Sequence, residues 1–270
     1  MTPVRELGHG PALVLVPALQ GPWQYMSPAV DALARRFRVV TFSLGAPDPN
    51  TRSAVAADAD SLGRALDSCG IERAIICGVS YGGVVATHFA ASHPSRTEAL
   101  VVASSPGAGW HLRPRHEIYA RWPLVFGPVF LAETPFRVRP ELTAAFPSFR
   151  DRLKFVRWQL GTVLREPFSL QAMAARARSL GSHDIVADCR LITAPALVVT
   201  GEPALDRVVP VQSTATYHQF IPGARRLVLE RTGHFGTITR PDTFAAAVEA
   251  FVREAGIASG FTPTSRSEVA

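Results

Sequence analysis

The chain has 270 residues, of which 47% are hydrophobic and 19% are charged, and its formal net charge is +6. These proportions are typical of a globular protein with a large buried core, and they exclude an intrinsically disordered chain. No apolar run approaches the ~20 residues of a membrane span, and the N-terminus lacks a charged and then apolar leader. We therefore expect a cytoplasmic protein with no membrane partner.

The positive charge is concentrated in one central segment. Residues 110–190 contain 13 Lys and Arg against 7 Asp and Glu, whereas the remainder of the chain has 15 basic and 15 acidic residues. The segment contains neither a basic run nor an aromatic-interleaved stripe, so we expect no nucleic-acid partner. Its arginines are interpreted as solvated helix faces, with the steering of an anionic substrate or partner as the alternative. The arginines concerned are Arg113, Arg115, Arg121, Arg137 and Arg139.

The first hundred residues alternate short apolar runs with amphipathic stretches. Strands are predicted at 4–7, 12–16, 38–44, 73–79 and 99–104, and helices at about 28–36, 53–68 and 81–92. Buried strands that alternate with amphipathic helices predict a mostly parallel sheet covered on both faces. Sites in such sheets form at the carboxyl ends of the strands.

The alternation stops after Gly109. Between residues 110 and 188 the sequence shows no clear strand, only short helical patterns cut by seven prolines. Strands at 196–200 and 226–230 and helices near 211–219 and 242–255 then restore the rhythm. We predict an α/β core at 1–109 and 189–258, a helical cap inserted at 110–188, and a flexible tail at 259–270.

Ser80 lies at a predicted sharp turn between a strand and a helix. The motif GVSYG at 78–82 follows an apolar run and precedes a helical pattern that begins at Val84. Glycines two residues before and two residues after the serine let strand and helix approach closely, while the strained turn pushes the hydroxyl clear of the sheet. Ser80 is therefore the candidate nucleophile.

A serine nucleophile needs a base to remove its proton and an acid to orient that base. His234 lies in the glycine-flanked loop TGHFG that follows the last strand, and it is the candidate base. Asp206, in the loop after the strand at 196–200, is the candidate acid. Glu202 is its rival, because it lies nearer to the end of the same strand.

The chain order Ser80, Asp206, His234 resembles the catalytic triad of the α/β-hydrolase superfamily. The resemblance covers about residues 4–255. It implies the α/β-hydrolase fold, a mostly parallel central sheet flanked by helices, with the helical cap inserted between the sixth and seventh core strands.

The predicted oxyanion hole departs from the pattern of similar hydrolases. They usually carry His-Gly-x after the third strand, whereas here Val16 is followed by the sequence PALQG at 17–21. The resemblance implies that the backbone N–H groups of Leu19 and Tyr81 stabilise the oxyanion. Pro17 has no N–H and does not donate.

The resemblance implies a serine hydrolase that cleaves a carboxylic ester, or a related small-molecule acyl substrate, without a cofactor or metal. The same machinery leaves carbon–carbon bond hydrolysis, lactone hydrolysis and perhydrolysis open, and a hydrolase-like small-molecule receptor is the alternative from another class. Candidate pocket residues, which equally suit a seal between cap and core, are Trp23, Trp110 and Phe235. The three cysteines form no CxxC pair, which favours reduced thiols.

Overall fold

Seven strands form a single sheet in the computed structural model, which describes residues 4–47 and 53–257. The strands are β1 (Val4–Leu7), β2 (Ala12–Val16), β3 (Arg38–Phe42), β4 (Ala74–Val79), β5 (Thr97–Ala103), β6 (Ala196–Thr200) and β7 (Arg225–Val228). Their order across the sheet is β1-β3-β2-β4-β5-β6-β7, and every neighbouring pair is parallel except β1 with β3. The predicted tail at 259–270 lies outside the described residues.

The central strands are buried on both faces. All six residues of β4 are buried, because its side chains alternate between two core clusters. Ile76 packs with Val14 on one face, and Ile75 packs with Leu15 on the other. Near-continuous apolar runs predict such two-sided burial. The pairing of the strands confirms the mostly parallel sheet that the sequence predicts.

Helices cover both faces of this sheet. In chain order they are α1 (Ser27–Ala34), α2 (Ala54–Ser68), α3 (Tyr81–Ser92), α4 (Pro114–Arg121), α5 (Pro123–Ala145), α6 (Phe149–Arg165), α7 (Leu170–Leu180), α8 (Ile185–Leu191), α9 (Val211–Phe220), α10 (Gly236–Thr239) and α11 (Pro241–Glu254). The cluster on one face includes side chains of α1 and α11, and the cluster on the other includes side chains of α2, α3, α8 and α9. Within the described ranges, no helix is both long and apolar enough to cross a membrane.

The helical insertion, α4–α8, lies between β5 and β6. These are the fifth and sixth strands of the sheet, so the expected position between the sixth and seventh strands is corrected. In the described part of the chain, five strands precede the insertion: the antiparallel edge strand β1 and the four parallel strands β2 to β5. The predicted boundary between residues 188 and 189 falls inside α8, whose Ile185 and Cys189 belong to a core cluster of the sheet.

The insertion is more continuous than its prolines indicate. Helix α5 runs for 23 residues with Pro128, Pro135 and Pro140 inside it, whereas the sequence predicts that prolines cut the helical patterns. A proline leaves the carbonyl four residues earlier without its helical partner. Those carbonyls belong to Leu124, Leu131 and Phe136, and all three residues lie on exposed parts of the helix.

Helix α3 starts directly after β4 and approaches the sheet very closely. A Cβ atom on Gly78 would lie 2.1 Å from the carbonyl oxygen of Gly82, and one on Gly82 would lie 2.4 Å from the carbonyl oxygen of Val16. Side chains cannot be accommodated at such distances, so both positions require glycine. The glycines of the GVSYG motif thus have the packing role that the sequence predicts.

Candidate active site

Ser80 occupies the turn between β4 and α3. Its φ is 55°, in the left-handed region that a residue with a side chain rarely adopts. The N–H of Ser80 donates to the carbonyl of Ala103 at 2.9 Å. The hydroxyl of Ser105 donates to the carbonyl of Ser80. These contacts hold the strained turn at the carboxyl end of the sheet, and Ser80 itself is 9% exposed.

The structure brings His234 and Asp206 to Ser80. Nε2 of His234 lies 3.1 Å from Oγ of Ser80, which is a hydrogen-bond distance. Nδ1 of the same imidazole lies 3.4 Å from Oδ2 of Asp206, an ion-pair distance that exceeds a hydrogen bond of normal geometry. This Nδ1 makes no hydrogen bond of normal geometry to a described residue, and Asp206 is the carboxylate with which it is paired.

Asp206 is oriented by its own loop. Its Oδ1 accepts the N–H groups of Val208 and Val209, both at 2.9 Å, and this leaves Oδ2 for the imidazole. The rival carboxylate points elsewhere: Oε1 of Glu202 accepts the N–H of Arg231 at 2.5 Å. The structure therefore places Asp206, and not Glu202, against His234.

Two opposing effects set the charge state of His234. Burial by itself lowers the pKa of an imidazole, because the charged form loses its hydration. The carboxylates of Asp206 and Glu141 outweigh that effect, so the pKa of His234 is raised above its ordinary value. Above that pKa, a neutral imidazole with its proton on Nδ1 has Nε2 free to accept a proton from Ser80.

Glu141 is a buried carboxylate that the sequence analysis missed. It lies on α5, and its Oε1 accepts the N–H of Phe235, the residue after His234, at 2.8 Å. Burial raises the pKa of Glu141 to about 7, although the backbone N–H groups of Gly233 and Phe235 and the imidazole of His234 lower it. The hydrogen-bonded partners are 94 residues apart, so no local pattern could have indicated the contact.

Arg176, on α7, is a second buried charge that the insertion contributes. Its Nε donates to Oδ2 of Asp58 at 3.4 Å, and the hydroxyl of Tyr81 donates to the same oxygen at 2.8 Å. Its Nη1 donates to the carbonyl of Leu19 at 3.2 Å, and its Nη2 donates to the carbonyl of Gly45. One buried network thus joins Leu19 to Tyr81, the two residues predicted to donate to the oxyanion.

The three predicted pocket residues have different surroundings. Trp23 and Phe235 are half-buried against the core cluster that includes α1 and α11, and the ring of Phe235 meets the imidazole of His234 edge-on at 5.5 Å. Trp110 packs against the opposite cluster and lines a cavity of about 270 Å³ with His116 and Val208. Phe235 therefore contacts a candidate catalytic side chain, whereas Trp110 lies beside the loop that carries Asp206.

The described ranges contain one group of side chains close enough to share a metal ion, and it lies away from Ser80. Its members are His88, His183 and Asp188. Oδ2 of Asp188 lies 3.0 Å from Nδ1 of His88 and 2.7 Å from Nε2 of His183. Burial opposes ionisation of Asp188, but these two imidazoles lower its pKa to about 2. His88 is eight residues along α3 from Ser80, a rise of about 12 Å, so the cluster is separate from the site.

Known proteins resemble this chain over most of its length. A model described as the alpha/beta hydrolase family matches residues 9–247. The 2-hydroxymuconate semialdehyde hydrolase of Pseudomonas putida is 31% identical over 205 residues. The match covers 70% of this chain and 66% of that protein, so slightly less than two thirds of the relative's length is matched. The pimeloyl-[acyl-carrier protein] methyl ester esterase of Aeromonas hydrophila subsp. hydrophila is 29% identical, with 92% of this chain and 98% of that protein covered. The enol-lactonase structure from Burkholderia xenovorans LB400 shares the fold, with a TM-score of 0.74, 22% identity, and 93% and 96% coverage.

Removal of the buried Arg176 guanidinium should lower the stability of the fold. Arg176→Met leaves Asp58 buried without its positive partner, and we expect the free energy of unfolding to fall by about 3 kcal/mol in urea denaturation. The matched control is Arg225→Met, which breaks an exposed ion pair with Glu254. That control should cost less than about 1 kcal/mol. Equal losses in the two variants would contradict the prediction.

Proposed function

The chain belongs to the alpha/beta hydrolase family, and we propose that it is a serine hydrolase that cleaves a carboxylic ester through an acyl-enzyme on Ser80. The observation that carries the proposal is the succession of side chains from Oγ of Ser80 to Nε2 of His234 and from Nδ1 to Asp206. A nucleophile, a base and an orienting acid in this arrangement suit acyl transfer. This chemistry requires no redox or group-carrying cofactor.

In the proposed mechanism, His234 removes the proton of Ser80 while Oγ attacks the ester carbonyl. The resulting tetrahedral intermediate collapses when His234 gives the proton to the leaving alcohol, and the acyl group stays on Ser80. His234 then deprotonates a water molecule, which attacks the acyl-enzyme, and it returns that proton to Oγ of Ser80 as the bond between Oγ and the acyl carbon breaks and the acid leaves. Asp206 stabilises the imidazolium that forms in both steps.

We propose that the N–H groups of Leu19 and Tyr81 stabilise the oxyanion in both steps. The buried network around Arg176 supports this assignment, because it ties the carbonyl of Leu19 and the side chain of Tyr81 to one fixed group. Donors that are held in place before the reaction need no reorganisation as the charge develops. Pro17 shapes the exit from β2 but offers no N–H of its own.

A carboxylic ester is the proposed substrate class because a relative that matches 92% of this chain is named a methyl ester esterase. The second candidate is hydrolysis of a carbon–carbon bond, and the relative that is 31% identical is named a semialdehyde hydrolase and not an esterase. Both reactions pass through an acyl group on serine, so the residues around Ser80 suit either. Which of the two bonds is cleaved therefore depends on the side chains that bind the substrate, and not on the triad.

Replacement of Ser80 tests its proposed role as the nucleophile. We expect the purified protein to hydrolyse nitrophenyl esters in an acyl-chain-length series, and Ser80→Ala to lower kcat/KM by at least about 1000-fold. Ser92→Ala, at the far end of α3, is the matched control and should leave kcat/KM unchanged. A ligand that raises the Tm without any turnover in the series would instead support the receptor alternative.

The choice of acid is tested by a pair of amide variants. Asp206→Asn removes the charge that faces Nδ1 of His234, so kcat/KM should fall by at least about 100-fold. Glu202→Gln alters a carboxylate that bonds the backbone of Arg231, and kcat/KM should stay within about threefold of wild type. The assignment of Asp206 is wrong if the Glu202 variant shows the larger loss.

Glu141 should affect the pH dependence of the reaction. With a pKa of about 7, Glu141 is ionised in only part of the molecules at the pH of the acidic limb, and in those molecules its charge stabilises the imidazolium. Glu141→Gln should therefore lower the pKa of His234 and keep the imidazole neutral to lower pH. The acidic limb of the kcat/KM profile should therefore move down by a fraction of a pH unit. Glu133→Gln, on the same helix but paired with Arg115, should not move it. Coincident profiles for wild type and Glu141→Gln would refute this coupling.

A further inference from the structure

Exposed apolar side chains are concentrated on one part of the molecule. Among the described residues, 15 large hydrophobic side chains are exposed, and 12 of them lie between residues 114 and 165, in and between α4, α5 and α6. Scattered surface hydrophobics need no explanation, whereas exposed apolar side chains that adjoin one another can mark an interaction surface.

Helix α6 carries an apolar stripe on the side that faces away from the core. The stripe consists of Phe149, Leu153, Val156, Leu160 and Leu164, which follow one another at intervals of three or four residues and are all exposed. The inward side of the same helix is different. There Phe155 and Trp158 pack against a core cluster, and Thr162 is buried. The helix is therefore apolar on two opposite sides, although its core contacts need only one of them.

Basic side chains border the outward stripe. With 3.6 residues per turn, Arg150, Lys154 and Arg157 fall along one border and Arg152 along the other. The helix carries five basic residues and one acidic residue, Asp151, which pairs with Lys154 at 3.4 Å. The arginines of α6 form no ion pair with a described residue. A long basic side chain beside an apolar stripe can place its stem on hydrocarbon and its charge among phosphates.

We propose that the outward face of α6, which we call the α6 surface, docks on an anionic lipid membrane. The basic borders complement the charge of anionic head groups, and the apolar stripe suits the boundary between head groups and acyl chains. A second copy of the chain fits less well, because a symmetric contact would oppose two helices of the same positive charge. The helix lies on the membrane and does not span it.

This proposal departs from the sequence-based expectation of no membrane partner. That expectation depended on the absence of a long apolar run, and such a run is needed for spanning a bilayer but not for lying on its surface. The proposal does not depend on the proposed function, because docking involves neither Ser80 nor His234.

The test is co-sedimentation of the full chain with vesicles. Phosphatidylcholine vesicles are compared with mixed phosphatidylcholine and phosphatidylglycerol vesicles, at low and high salt. We expect binding to the mixed vesicles that weakens in high salt. The double variant Leu160→Glu with Leu164→Glu should bind at least about tenfold more weakly, since two apolar anchors become anionic. The matched control, Leu191→Glu, changes a similarly exposed leucine on α8 and should bind like wild type.

The unfolding temperatures of wild type, the double glutamate variant and Leu191→Glu show whether the substitutions preserve the fold. Arg150→Gln with Arg157→Gln supplies a second, charge-only variant, which should also bind the mixed vesicles more weakly. No binding of wild type to mixed vesicles would overturn the proposal, as would equal binding to neutral vesicles. A dimer in sedimentation velocity that the double glutamate variant dissociates, without vesicle binding, would assign the α6 surface to a second copy instead.

Discussion

The close approach of α3 to the end of β4 is the constraint on which the candidate site depends. Backbone atoms meet at Gly78 and Gly82 at distances that leave no room for a Cβ atom. The residue in the middle of this turn, Ser80, has a strained conformation with a φ of 55°. Its hydroxyl is thereby held within reach of the loops that follow β6 and β7, where Asp206 and His234 lie.

The helical insertion contributes buried charges to the same region. Arg176 on α7 ties Leu19 to Tyr81 through Asp58, and Glu141 on α5 bonds the backbone next to His234. A charged group placed in the interior must be paired or hydrogen-bonded to persist there. The insertion is thus joined to the core by polar contacts on its inner side, while its outer side, at α6, is apolar and basic.

The sequence predicts those features that local pattern determines. Strand β2 matches its predicted range of 12–16, because a continuous apolar run between turn residues has few alternatives. The glycine motif predicts the turn at Ser80 for the same reason, since its backbone geometry is local. The roles of Glu141 and Arg176 are not determined by local pattern. Their partners lie 94 to 157 residues away in the chain, so no spacing or period distinguishes them from the surrounding helix residues.

Reaction with a fluorophosphonate, a reagent that labels activated serines, is the most direct test of Ser80 as the nucleophile. Intact-mass and peptide mass spectrometry would measure whether one molecule attaches and to which residue. We expect one adduct, located on Ser80, that forms in wild type and is absent from Ser80→Ala. An unlabelled wild-type protein, or an adduct that persists in Ser80→Ala, would contradict the assignment of Ser80 as the nucleophile.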